Sequence, residues 1–196
     1  MSYISLSKEG KYSPEDANHM DWGEVSELVE VLVSKISSYG EKINVIAPLL
    51  RTGGIVGGLL SIKMKVLVNL PVQFKYSYNP TTINQILSIP DILVGQPEQM
   101  NILLCEGNTS SGSIAVRAAK SLKEKYPDSK IYLATLTKVF GGPEKLEGIE
   151  EVFYGRLTDE NFKASEGDFK KFNLRKGITI FPWETMEDEL SDLNAV

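Results

Sequence analysis

Cysteine and histidine are almost absent from this chain: its 196 residues contain one of each, Cys105 and His19. A single cysteine excludes an internal disulfide and any zinc cluster built on thiolates, and a single histidine excludes a histidine-rich metal site. Excess positive charge is missing too. Lys and Arg total 21 against 26 Asp and Glu, a net charge of −5, which argues against attraction of the whole molecule to nucleic acid or to an anionic membrane. No run approaches the roughly 18 apolar residues that a membrane-spanning helix needs. The N-terminal stretch MSYISLSKEGKYSPED lacks the basic-then-apolar order of a secretion signal. These absences predict a cytoplasmic protein with no nucleic-acid and no membrane partner. What is present is ordinary for a globular chain, 42% hydrophobic and 24% charged, at a length that suits one α/β domain with a sizeable core.

Asp21 followed by Glu24 has capping-box spacing, and Val25, Leu28, Val29, Leu32, Val33 and Ile36 then recur with helical period. INVIAPLL (43–50) reads as a strand buried on both faces, and GIVGGLLSIKM (54–64) as a small-residue helix packed closely on a sheet. KVLVNLPVQFKYSY (65–78) holds one or two strands interrupted at Pro71, and 79–99 reads as a long loop with a short strand around Ile86. NILLC (101–105) is another buried strand. Ala115, Ala118, Ala119 and Leu122 give the following helix its inward face, and KIYLATL (130–136) is the next strand. EVFYG (151–155) and GITIFP (177–182) read as strands separated by charged loop, and the acidic tail 185–196 as a solvated segment, frayed or helical. The alternation predicts a mostly parallel twisted sheet flanked by helices. Such sheets take ligands beyond the carboxyl ends of their strands, which puts LLRTGG, CEGNTSSGS and LTKVFGG on one rim.

EGNTSSGS (106–113) is almost wholly small and hydroxyl residues between a strand and a helix. Gly107 and Gly112 let amides turn inward, Asn108, Thr109, Ser110, Ser111 and Ser113 supply neutral hydrogen-bonding groups, and the helix N-terminus adds aligned N–H groups. That is an anion nest suited to a phosphate monoester. The Gly-Lys-Ser/Thr of a Walker loop is missing. Glu106 would repel a phosphate, but it suits sugar hydroxyls or a magnesium-bound water.

This strand–acid–loop–helix unit resembles the phosphoribosyl-pyrophosphate (PRPP) motif of the type I phosphoribosyltransferases, closest to the purine, hypoxanthine/xanthine-guanine type. In that motif two acidic residues precede three variable positions and Thr-Gly-x-Thr. Here Cys105 and Glu106 fall on the acidic pair, and Ser110, Ser111, Gly112 and Ser113 on the phosphate loop. Thr109 falls where purine enzymes often carry an aspartate that assists proton transfer. The first acid is thus a cysteine and one glycine a serine, so the motif is degenerate. NVIAPLLRTGG resembles the family's pyrophosphate-binding loop, with Arg51, Thr52 and Gly53 against the leaving group. VQFKYSYNPTT resembles the start of its flexible catalytic loop, with Ser77 and Tyr78 as the serine–tyrosine pair. LATLTKVFGG carries Lys138 at the place of the lysine that reads a purine 6-oxygen. ITIFPWE resembles the C-terminal hood, with Trp183 covering the base.

The resemblance covers residues 45 to 184 in family order. It implies a single phosphoribosyltransferase-like domain: a core of about 21–140, a small hood from the N-terminal segment and about 141–184, then the acidic tail. It also implies Mg2+ as cofactor, held only indirectly by Glu106, PRPP and a nucleobase as partners, and a homodimer or tetramer. The expected reaction is transfer of the phosphoribosyl group to a 6-oxopurine with release of pyrophosphate, in purine salvage. The alternative, favoured by Cys105, is a catalytically inactive PRPP- or nucleotide-binding regulatory protein of the same fold. His19 and Trp22 read as packing or capping residues.

Overall fold

The structure, a computed structural model, describes residues 9–78, 81–93 and 95–194. Helix α1 (Trp22–Tyr39) begins at Asp21, whose side chain accepts from the Glu24 amide at 2.8 Å while Glu24 accepts from the Asp21 amide at 3.4 Å. It buries Val25, Leu28, Val29, Leu32 and Ile36, the apolar face read from the spacing, and ends at Gly40 in the left-handed conformation.

The strands are β1 (Ala17–His19), β2 (Val45–Leu50), β3 (Val68–Asn69), β4 (Val72–Tyr78), β5 (Thr81–Gln85), β6 (Asn101–Thr109), β7 (Lys130–Val139), β8 (Val152–Asp159), β9 (Arg175–Lys176) and β10 (Ile178–Ile180). The main sheet runs β5-β4-β2-β6-β7-β8-β9, with β3 also pairing to β2. Every pair in it is parallel except the β4–β5 hairpin. Helices α1 and α2 (Gly53–Met64) cover one face, where Leu32, Ile36, Leu60, Leu103 and Tyr132 form one apolar cluster. Helix α3 (Ser113–Lys125) covers the other, over Val45, Ile102, Leu104, Ile131 and Leu133. The interior of β2, β6 and β7 is therefore apolar on both faces, as their continuous hydrophobic runs require.

Several boundaries differ from the sequence reading. The strand read as 101–105 continues to Thr109, and the one read as 151–155 to Asp159. The parallel ladder carries both extensions: Asn108 pairs with Thr137, Thr109 with Lys138, and Leu157 with Lys138 on the other side. Backbone pairing does not need apolar side chains, so polar residues at the rim stay in the sheet. The short strand expected around Ile86 lies earlier, at Thr81–Gln85, because it pairs antiparallel with β4.

Beyond the main sheet, β1 and β10 form a two-stranded parallel ladder, His19 opposite Ile180. A short helix, α4 (Glu166–Phe172), follows β8, and the acidic tail is helical as α5 (Met186–Asn194). Leu190 and Leu193 of α5 pack with Tyr12, Ile178 and Ile180. The Asn194 carboxamide clasps the Tyr12 backbone, accepting from its amide at 2.8 Å and donating to its carbonyl at 3.0 Å. Among the described residues, no helix is long and apolar enough to cross a membrane.

Candidate active site

The carboxyl ends of β2 and β6, neighbours in the sheet, open into a cavity of about 270 Å³. The sheet contributes Leu50 to Gly53 and Glu106 to Asn108, while β10 contributes Ile178 and Thr179. Phe181, Glu160, Glu184, Glu189 and Leu193 also line it, with Phe74 of β4 and Ile114 of α3.

The Leu50–Arg51 peptide is cis, and Arg51 is exposed at the turn that leads into α2. Gly53 has no room for a side chain: a Cβ there would overlap the carbonyl oxygen of Cys105, so the turn lies directly against β6. The Thr52 hydroxyl donates to Glu184 Oε1 at 3.5 Å, and the Phe181 amide donates to Glu184 Oε2 at 3.1 Å. Burial raises the Glu184 carboxyl above its ordinary range, against the opposing pull of these donors and of Arg51.

Glu106, half-buried at the end of β6, accepts from the Thr109 hydroxyl at 2.6 Å. Burial pushes its carboxyl up to about 7, with the Thr109 bond working the other way. Thr109 itself is 2% exposed, so its role here is to hold the Glu106 carboxylate. Cys105 is 0% exposed; burial pushes its thiol far up, and its Sγ donates to the Leu103 carbonyl at 3.6 Å. That side chain faces α2, where a Cβ on Gly57 would lie 3.5 Å from the Cys105 Cβ, away from any ligand in the cavity.

Gly112 adopts φ 70° as the residue before α3, which bends Ser110–Ser113 into a loop over the helix N-terminus. The Ser111 and Ser113 hydroxyls are 2.8 Å apart, and the Ser113 amide donates to Ser111 Oγ at 3.4 Å. The loop adjoins the cavity through Ile114. Asn108 is turned elsewhere: it donates to Glu160 Oε2 at 2.9 Å and accepts from the Thr137 hydroxyl at 3.0 Å.

Thr109 and the Ser110–Ser113 loop stand outside the cavity wall, and so do Lys138, Trp183 and Ser77, which the resemblance also carried into the site. Lys138 is 8% exposed, its amine donating to the Gly142 carbonyl at 3.4 Å and lying 5.7 Å over the Tyr154 ring, and burial lowers its pKa. Trp183 stacks on Phe181 (4.9 Å, 3° between planes) and tilts against Trp22 (5.5 Å), so its ring is engaged by other aromatics. Ser77 lies on the β4–β5 hairpin, accepting from Asn84 at 3.5 Å. The Tyr78 side chain lies outside the described residues. Conversely, Glu160, Glu184 and Glu189 line the cavity without having been singled out. Glu160 follows β8 directly, so the rule that places ligands beyond strand ends could have found it. Glu184 lies just past the run read as a strand at 177–182, so the same rule reaches it, whereas Glu189 lies in the acidic tail with no strand-end signal.

Among the described residues, no group of three or more His, Cys, Asp or Glu is arranged to hold a metal ion. Glu106, on the cavity wall, is a hard oxygen donor of the kind that would suit a magnesium ion brought in on a polyphosphate.

No protein-family model and no curated protein matches the chain. Solved structures do. A purine phosphoribosyltransferase from Pyrococcus horikoshii Ot3 superposes with TM-score 0.63 at 16% identity, covering 87% of this chain and 95% of that one. The Helicobacter pylori xanthine-guanine-hypoxanthine phosphoribosyltransferase gives 0.59 at 18% identity, over 90% and 99%. A hypothetical protein from Neisseria gonorrhoeae with bound ppGpp gives 0.61 at 16%, over 94% and 98%. Superposed over most of their length on these neighbours, with a mostly parallel sheet flanked by helices, the chain has the type I phosphoribosyltransferase fold.

Proposed function

We propose that the protein is a phosphoribosyltransferase that moves the 5-phosphoribosyl group of PRPP onto a 6-oxopurine and releases pyrophosphate. The observation that carries this reading is the meeting of the Arg51–Gly53 turn and the Glu106 carboxylate at one cavity, which the Gly112-bent loop at the head of α3 adjoins through Ile114. Pyrophosphate is assigned to the turn, where Arg51 and main-chain amides meet its charge. The 5′-phosphate is assigned to Ser110–Ser113 and the first turn of α3, where free helix N–H groups favour an anion. The ribose lies between, beside Glu106.

When bound, magnesium would shield the pyrophosphate oxygens and ease their departure. The chain's own residues position the partners and stabilise the separating charges. With its carboxyl at about 7, Glu106 can accept and return a proton near neutral pH. Ser77 and Tyr78 belong to the hairpin assigned to closing over the reacting centre, which keeps water from the oxocarbenium-like carbon. Lys138 and Trp183, in this reading, serve the base only after side-chain rearrangement, Lys138 by leaving the Gly142 carbonyl.

A second reading, a PRPP- or nucleotide-binding protein without transfer, is favoured by one observation: the buried Cys105 thiol offers no second acid to the ribose. The Neisseria gonorrhoeae neighbour, with its bound ppGpp, makes a guanine nucleotide the ligand to try first in that case. The deciding experiment is calorimetry of PRPP with Mg2+ on the full chain, followed by a pyrophosphate-release assay with guanine, hypoxanthine and xanthine. Release on a base establishes the transferase. Binding of PRPP or ppGpp without release on any base supports the second reading.

A further inference from the structure

Helix α5 turns one face to the rest of the protein. Met186, Glu189, Leu190, Leu193 and Asn194, at helical spacing, are its half-buried positions, and no residue of the helix is fully buried. The covered residues do different things. Leu190 and Leu193 pack with Ile178 and Ile180, and the Asn194 carboxamide clasps the Tyr12 backbone, so these three dock the helix. Glu189 lines the cavity, with Leu193 one turn on. Among the described residues, no hydrogen bond or ion pair reaches the Glu189 carboxylate, and Glu184, Asp192, Glu160 and Asp188 act on it as like charges. Its position therefore works against docking.

The same carboxylate works against an anionic ligand. The cavity wall carries four acids, Glu106, Glu160, Glu184 and Glu189, against one cation, Arg51, among the described residues. Three of these acids belong to fixed parts of the fold. Glu106 ends in the β6 ladder, and Glu160 directly follows β8 and accepts from Asn108 at 2.9 Å. Glu184 accepts from the Thr52 hydroxyl and the Phe181 amide. Only Glu189 sits on an element held by two leucines and a carboxamide. Space is short as well: at about 270 Å³ the cavity falls below the roughly 300–1,000 Å³ of a small-molecule site, and PRPP with a base has to enter it.

We propose that α5 is an autoinhibitory lid: docked, it places Glu189 and Leu193 where PRPP has to come, and PRPP binds the conformer in which the helix has swung away. This rests on the reading of the cavity as a phosphoribosyl-transfer site. Release of the helix takes one of the four carboxylates off the wall and opens the cavity on that side. A helix docked by so few contacts, with an unpaired carboxylate facing other carboxylates, belongs to the low-stability end of the molecule, from which moving elements are drawn. PRPP shifts the balance because its affinity differs between the two conformers, tight with the lid off and weak with it on.

Hydrogen exchange read by mass spectrometry on the full chain tests this directly. Without ligand the α5 amides should be protected, and saturating PRPP with Mg2+ should make them exchange about tenfold faster or more, the reverse of what a ligand does to an element it holds down. Calorimetry of Leu190→Ser is the second measurement, since Leu190 docks the helix but lies off the cavity wall. With α5 docked in about nine molecules of ten, undocking it should tighten PRPP binding about tenfold. PRPP binding to the wild type with unchanged or increased α5 protection would overturn the lid and leave the phosphoribosyl reading standing. So would unchanged or weaker PRPP binding by a folded Leu190→Ser, or α5 amides that exchange freely before ligand is added. Should Leu190→Ser not fold, as read by circular dichroism, the wild-type exchange decides alone. If PRPP binds neither protein, the phosphoribosyl reading itself fails and the lid falls with it.

Discussion

At the scale of single residues, the site depends on close approaches that leave no slack. Gly53 sits where a Cβ would overlap the Cys105 carbonyl, and backbone cannot yield as a flexible side chain can. Gly53→Ala should therefore destabilise the protein by about 1–3 kcal/mol, the usual cost of forcing extra atoms into a packed region. At this chain length that amounts to roughly 2–4 °C of melting temperature per kcal/mol, readable by thermal denaturation. An unchanged melt would mean that the turn after β2 is free to move away from β6. Lys138 poses a different question, because its amine is spent on Gly142 and the Tyr154 ring. If it swings to the base during turnover, Lys138→Ala should weaken purine nucleotide binding about tenfold, the loss of one charged hydrogen bond, and leave PRPP affinity nearly intact. Equal loss of both ligands in calorimetry would make it a structural lysine.

At the scale of elements, α5 is the piece whose contribution the sequence reading understated. Its acids read as a solvated face, yet Glu189 lines the cavity and its carboxyl is pushed up to about 7, chiefly by burial and then by Glu184, Asp192, Glu160 and Asp188. The folded value lies above the ordinary 4.5, so between these two values the folded protein keeps a proton that the unfolded chain has released. Stability from this group is complete below about pH 4.5 and is lost as pH rises through about 7. Glu189→Gln cannot ionise and escapes that loss. Its melting temperature should gain on wild type as pH rises across that window and hold a constant lead above it. A lead that does not depend on pH would show that α5 leaves Glu189 in water. What conceals such a role in the sequence is that charge predicts exposure only on average. The two leucines that dock α5, Leu190 and Leu193, are too few to mark a buried face. The helix starts of α1 and α3 were legible, by contrast, because a capping pair and a glycine-rich turn are local signals.

For the whole molecule, the cavity joins segments far apart in the chain: the turn after β2, the end of β6, the residue after β8, then β10 and α5. The Glu24 carboxylate adds a further tie, pairing with Arg156 at 2.9 Å and Arg175 at 3.1 Å to join α1 to β8 and β9. A ligand that fills the cavity therefore touches the main sheet and the β1–β10 layer together, and binding should stabilise the fold as a unit. At one hundred times its dissociation constant, a ligand specific for the folded state adds about 2.7 kcal/mol. For a chain of this size that is a rise in melting temperature of about 5–10 °C. PRPP with Mg2+ and GMP should each produce such a rise in differential scanning fluorimetry. Absence of any shift at saturating concentration would argue that neither occupies the cavity.

The sequence by itself determined the α/β class, the apolar strands β2, β6 and β7, the amphipathic face of α1, and the three rim loops, because each is written in contiguous residues with a local periodicity or turn signal. Only the tertiary structure decided which side chains those loops turn inward. Asn108 is drawn to Glu160 by a carboxylate 52 residues away, and Trp183 is claimed by Phe181 and Trp22. Glu184 reaches the Thr52 hydroxyl across 132 residues. The pairings between distant residues are set by how strands and layers meet in space, and nothing in the neighbouring sequence encodes them.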